Sequence, residues 1–173
     1  MTIAIRAERP GEAAAVRAVN DATFGTLHEG QIVDDIRGTA DWIEGGSLVA
    51  EDDGRLVGHV FLSYGDLVLE TGWRRRIWMV CPVAVIPERQ RQGIGGALMR
   101  AAIALATERG EPLLVLLGHA TYYPRFGFEP ARAIGIEAPR PWPDASWLAL
   151  RLPAWTPDLR GVARFPEAFP DSQ

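Results

Sequence analysis

Apolar and polar positions divide the chain into a short strand, two helices and a run of strands. A long helix and a buried strand then follow. Residues 2–8 alternate loosely and predict a first strand. Pro10 is expected to open a helix with Ala13, Val16, Val19 and Ala22 on one face. A second helix is expected over residues 29–37, striped by Ile32, Val33 and Ile36 and stopped at Gly38. Gly45-Gly46 predicts a turn, residues 47–50 a short strand, and Asp52-Asp53-Gly54-Arg55 a hairpin turn. Residues 56–69 read as a long strand with Gly65 as its bend, and residues 77–86 as the next strand after a turn at 71–75. The apolar series Ile94, Ala97, Leu98, Ala101, Ala102, Leu105 and Ala106 predicts a helix over residues 93–109, closed by Gly110. Residues 113–117 are purely aliphatic, as in a strand covered on both faces, and the preceding helix implies a right-handed crossover. Residues 121–126 predict a short helix and residues 147–152 a late strand. The expectation is one α/β domain with a mixed sheet spanning residues 1–173. Its core is placed at about residues 3–131, with a proline-rich extension over 132–173.

Composition narrows the function classes. The chain has 173 residues, 47% hydrophobic and 23% charged, as in ordinary globular domains. Eighteen basic against 22 acidic residues give a net charge of −4, which argues against nonspecific nucleic-acid binding. All 18 basic residues are arginine, so no lysine Schiff base and no P-loop lysine exists. Cys81 is the single cysteine, which excludes an intrachain disulfide and a cysteine zinc cluster. His28, His59 and His119 show no metal-ligand spacing, so no metal is expected. No apolar run approaches the roughly 18 residues of a membrane span, and the N-terminus lacks the order of a signal peptide. The expected location is the cytoplasm, without membrane association.

The informative stretch is Val83-Ala84-Val85-Ile86-Pro87-Glu88-Arg89-Gln90-Arg91-Gln92-Gly93-Ile94-Gly95-Gly96. It reads as a strand, a short polar loop and glycines at a helix start. Such a start offers free amides and the positive end of the helix dipole to an anion, with Arg89 and Arg91 alongside. The dinucleotide pattern fits at Gly93 and Gly95 and fails at Leu98. The pattern Gln90-Arg91-Gln92-Gly93-Ile94-Gly95 resembles that of the GNAT superfamily of acyl-CoA-dependent N-acyltransferases. The element order is similar too. So is the downstream segment Tyr122-Tyr123-Pro124-Arg125-Phe126-Gly127-Phe128, which resembles that of a bacterial subfamily of predicted acetyltransferases.

That resemblance implies a mixed, mostly antiparallel sheet with splayed central strands, flanked by helices. It implies acetyl-CoA as cofactor, held by Val83, Ala84 and Val85 through pantetheine and by Gln90, Arg91, Gln92, Gly93, Ile94, Gly95 and Gly96 through pyrophosphate. It implies a small-molecule or peptide amine as acceptor, and dimers are common in the family. Amide formation needs a neutral amine, a polarised thioester carbonyl and a protonated leaving thiol. Tyr123 aligns with the family tyrosine that protonates the thiolate, and Tyr122 is its neighbouring alternative. His59 and His119 are the two candidate bases, with Glu70 and Asp66 as comparable carboxylates and a water relay as the other route. Arg74-Arg75-Arg76 reads as a solvated hairpin, and Trp142, Trp147 and Trp155 as core or interface residues. The competing readings are a non-catalytic acyl-CoA-binding module and, more weakly, a nucleotide-binding domain.

Overall fold

Hydrophobic alternation and turn chemistry produce nine strands and three helices among the described residues, 3–169 of a computed structural model. In chain order these are β1 (Ala4–Ala7), α1 (Ala13–Phe24), α2 (His28–Ile36), β2 (Trp42–Asp52), β3 (Arg55–Leu69), β4 (Arg74–Val85), α3 (Ile94–Glu108), β5 (Leu113–Leu117), β6 (Glu129–Pro130), β7 (Ile136–Glu137), β8 (Trp147–Arg151) and β9 (Gly161–Arg164). The fold is mixed α/β, with a mostly antiparallel open sheet and flanking helices. No described helix is long and apolar enough to cross a membrane. The contacts fall into two compact units, one of residues up to Leu62 with Cys81–Ile103, the other of Ser63–Val80 with the chain from Ala104 onward.

In the first unit, β1 pairs antiparallel with β2, from Ala4 opposite Glu51 to Ala7 opposite Leu48. The two-residue turn Asp53-Gly54, with φ of 48° and 79°, joins β2 to β3. Left-handed conformations at both positions match the twist of an antiparallel hairpin. The Ile86 amide donates to the Val57 carbonyl at 3.0 Å, tying the end of β4 to β3. α1 buries Val16 and Val19, α2 buries Ile32, Val33 and Ile36, and the first turns of α3 bury Ile94, Leu98 and Met99. In the second unit, β4 and β5 pair parallel at Trp78–Leu114 and Met79–Val115. β8 lies antiparallel to β5 and β6 antiparallel to β8, while β9 pairs antiparallel with β3 and parallel with β7. Its core includes Leu67, Met79, Leu113, Val115 and Trp147. The Trp147 indole donates to the Ile136 carbonyl at 2.9 Å, so the buried ring keeps a hydrogen bond.

Five details differ from the sequence expectation. Arg74, Arg75 and Arg76, expected in a solvated hairpin turn, are exposed but begin β4. α1 begins at Ala13 rather than Pro10, because the Arg9 amide donates to the Glu12 carboxylate at 2.7 Å and holds the preceding residues in a turn. Gly45-Gly46 does not reverse the chain, and β2 runs through it. At Gly46 a Cβ would lie 2.9 Å from the Leu62 carbonyl oxygen, so this glycine serves close strand approach. The expected helix at 121–126 is a 3-10 turn, Tyr123–Phe126, with Pro124 in its first turn. The short strands β6, β7 and β9 lie in segments whose proline and turn residues gave no periodic signal.

Candidate functional site

The glycine segment connects β4 to α3 inside the first unit. Pro87–Arg89 form a 3-10 turn, Arg91 takes a left-handed φ of 58°, Gly93 takes 86°, and α3 starts at Ile94. Gly93 is required at that φ, since a side chain there is strained. A Cβ on Gly93 would meet nothing within 4 Å, so the space beside it is open. Gly93 has no side chain to cap the helix. The amides of Gly93, Ile94, Gly95 and Gly96 precede the first intrahelical bond of the next residue, in which Ala97 donates to the Gly93 carbonyl at 3.0 Å. These amides and the helix dipole suit an anion of phosphate type.

The loop side chains turn back onto the protein. Gln90 Nε2 donates to the Val85 carbonyl at 3.0 Å, and Gln92 Nε2 to the Glu88 carbonyl at 3.2 Å. Arg89 donates Nε to Gln92 Oε1 at 3.1 Å and pairs through Nη1 with Asp52. Arg91 and Gln92 are exposed, whereas Arg89 is half-buried. Sequence reasoning missed Arg100. Its guanidinium would lie 3.4 Å from a Cβ on Gly96, which brings a second cation to the first turn of α3. The signal was available, since Arg100 stands four residues beyond Gly96 and so on the same helix face.

On β4, Val83 and Val85 are half-exposed on the same face as Cys81, while Pro82, Ala84 and Ile86 are buried between them. Burial, with the Glu29 carboxylate nearby, pushes the Cys81 thiol up to about 12, so it is no thiolate at neutral pH. His59 is also in this unit and is fully buried. Its Nδ1 meets Asn20 Nδ2 and its Nε2 meets Ser47 Oγ, both at 3.0 Å. Burial and then the Arg37 charge push its pKa down to about 3.

Tyr123 and His119 belong to the second unit. Tyr123 is half-buried in the 3-10 turn, and its ring packs edge-on against Tyr122 and Phe128. A Cβ on Gly118 would lie 2.3 Å from Tyr123 Cε2, so the glycine makes room for the phenol ring. His119 is exposed and accepts the Tyr122 amide on its backbone carbonyl at 3.1 Å. Tyr122 is half-buried, with the Arg125 guanidinium 4.5 Å above its ring. Asp66 lies 3.8 Å from Arg74 and 3.9 Å from Arg76, and Glu70 lies 3.9 Å from Arg160.

The comparisons agree with one another. The model of an acetyltransferase (GNAT) domain matches residues 5–131. The chain is 35% identical over 157 residues to the uncharacterized N-acetyltransferase YjhQ of Escherichia coli K12, covering 88% of this chain and 86% of that protein. A GNAT family acetyltransferase from Brucella melitensis, solved in complex with acetyl-CoA, superposes with a TM-score of 0.79 at 33% identity, covering 97% of this chain and 98% of that one. The GNAT family N-acetyltransferase YhbS from Escherichia coli, solved in complex with CoA, gives a TM-score of 0.86 at 27% identity, covering 96% and 91%. From the glycine loop at the start of α3 to these matches, every line converges: the chain belongs to the GNAT acetyltransferase family.

Proposed function

We propose that this protein transfers the acetyl group of acetyl-CoA to a primary amine, by direct attack of the amine within a ternary complex. The observation that carries the reading is the row of uncapped amides from Gly93 to Gly96, opening onto free space beside a left-handed glycine. This cradle fits a pyrophosphate, with Arg91 and Arg100 adding positive charge. The CoA and acetyl-CoA complexes of the two relatives support the same ligand. Acetyl-CoA supplies the activated acetyl thioester.

The remaining roles belong to the chain. Gln90, Gln92 and Ile94 shape the loop around the amides. The backbone of Val83, Ala84 and Val85 pairs with pantetheine amides, as a peptide pairs with a strand edge. A backbone N–H of Val83 or Ala84 stabilises the charge that develops on the carbonyl oxygen. The Tyr123 hydroxyl donates a proton to the leaving thiolate. With an ordinary thiol pKa of about 8.5, that assistance is helpful rather than indispensable. The amine proton passes to His119 or to water. His59 is unsuited to the task, since its ring is fully buried and both nitrogens are engaged. Asp66 sits beside two arginines, and Glu70 is exposed.

The test is free-thiol release from acetyl-CoA with a panel of primary amines, with the acetylated product identified by mass. Thiol release equal to acetylated amine supports the reading. Tight acetyl-CoA binding without turnover on any amine would replace it with a binding module.

A further inference from the structure

The amides of the glycine loop can hold an anion only if the preceding 3-10 turn is fixed, and two crossed ion pairs fix it. Asp52 ends β2 and Arg55 begins β3, on either side of the Asp53-Gly54 turn. Asp52 pairs with Arg89, and Arg55 Nη2 pairs with Glu88 Oε1 at 3.0 Å. One hairpin thus grips two consecutive residues of the 3-10 turn, with a carboxylate on one side and a guanidinium on the other.

The pairs differ in environment. The Arg55 and Glu88 side chains are 69% and 56% exposed, so water screens them and they contribute little. The Arg89 and Asp52 side chains are only 17% and 9% exposed. Removing one partner of a shielded pair leaves the other charge uncompensated. From Arg89 the constraint passes to Gln92 Oε1 at 3.1 Å, and from Gln92 Nε2 to the Glu88 carbonyl at 3.2 Å. Gln92 immediately precedes Gly93. The chain of contacts therefore runs from the β2–β3 hairpin to the first residue of the amide cradle.

We propose that Asp52 is a positioning residue for the pyrophosphate loop, acting through Arg89 and Gln92 to hold the amides of Gly93–Gly96 in their binding arrangement. This rests on the acetyl-CoA reading above. Asp52 touches no ligand in this account, and its effect falls on cofactor affinity.

The experiment is calorimetric titration of CoA into the full chain, with thermal unfolding of every variant alongside. The variants are Asp52→Ala, Asp52→Asn, Arg89→Ala, the Asp52→Ala/Arg89→Ala double variant and Gly93→Val. The expected result is an affinity about tenfold lower in Asp52→Ala, corresponding to about 1.4 kcal/mol. Asp52→Asn keeps the shape and loses the charge, so its loss is smaller. The double variant should bind much as Arg89→Ala does, because Asp52 acts on the loop through Arg89. With the best amine of the panel, KM for acetyl-CoA should rise in Asp52→Asn while kcat stays level, a split that general destabilisation would not give. Should Asp52→Ala fail to fold, Asp52→Asn and Arg89→Ala carry the same comparison. Wild-type affinity in Asp52→Ala and Asp52→Asn, with binding lost in Gly93→Val, would overturn the positioning role and leave the cofactor reading intact. Additive losses in the double variant would overturn it too. Absence of CoA binding by the wild type, or retained affinity in Gly93→Val, would overturn both.

Discussion

Asn20 Nδ2 donates to His59 Nδ1 across 3.0 Å, and the same amide donates to the Val16 carbonyl at 2.9 Å. With Nδ1 as acceptor, the imidazole proton sits on Nε2 and is donated to Ser47 Oγ. Ser47 in turn donates to Glu8, whose carboxylate pairs with Arg37 at 2.8 Å. The chain of donors is directed, and it fixes His59 as a neutral tie among α1, β2 and β3.

This arrangement makes stability depend on pH. The folded pKa of His59 is pushed down to about 3, against an ordinary 6.5. Below pH 6.5 the unfolded chain gains a proton that the folded chain refuses, so stability is full above that pH and falls as pH drops toward about 3. Thermal unfolding of His59→Gln should give a lower Tm at pH 7 and a shallower fall between pH 7 and pH 4 than wild type. At pH 7 its kcat per folded molecule should stay within about twofold of wild type. Parallel Tm falls would contradict the buried neutral imidazole. Abolished turnover in a folded variant would return His59 to the list of bases.

Tyr123→Phe tests the acid role. Removing the hydroxyl should lower kcat about tenfold, below the roughly hundredfold or more typical of general acid catalysis, because the thiol leaves readily. The Kd for CoA should not change. Steady-state kinetics beside calorimetry separate the two, and an unaltered kcat would remove Tyr123 from the mechanism.

Gly58→Ala tests the seating of α3 on β3. A Cβ there would lie 3.0 Å from Leu98 Cδ1, 3.1 Å from Ile94 Cγ2 and 3.2 Å from the Ala84 carbonyl oxygen. The leucine terminus can rotate away, whereas the backbone oxygen cannot move without shifting β4. Overpacking of this kind costs about 1–3 kcal/mol. Urea denaturation should show that loss, together with weaker CoA binding, because Ile94 opens the helix that carries the cradle. Unchanged stability and affinity would mean the helix start has slack.

The sequence made the main elements legible wherever one physical signal dominated. The apolar period of α3, the Asp53-Gly54 hairpin and the aliphatic run of β5 each announced an element that the structure contains. The glycine loop before α3 was legible as well, because polar residues and glycines stand between an apolar strand and an apolar-periodic helix. What escaped depends on contacts distant in sequence. The Asp52–Arg89 pair joins residues 37 apart, and β9 finds its partner β3 across most of the chain. His59 stood as the one histidine of its strand. Only the convergence of Asn20 and Ser47 on its ring shows that it is a hydrogen-bonded core residue.

The central claim is that the amides beginning at Gly93 hold the cofactor, and calorimetric titration of acetyl-CoA into wild type and Gly93→Val tests it most directly. A branched side chain is strained at φ 86° and would occupy the open space beside the loop. Saturable binding to the wild type is expected, with an affinity at least about tenfold lower in a folded variant. Equal affinities in the two proteins would contradict it and place the cofactor elsewhere on the chain.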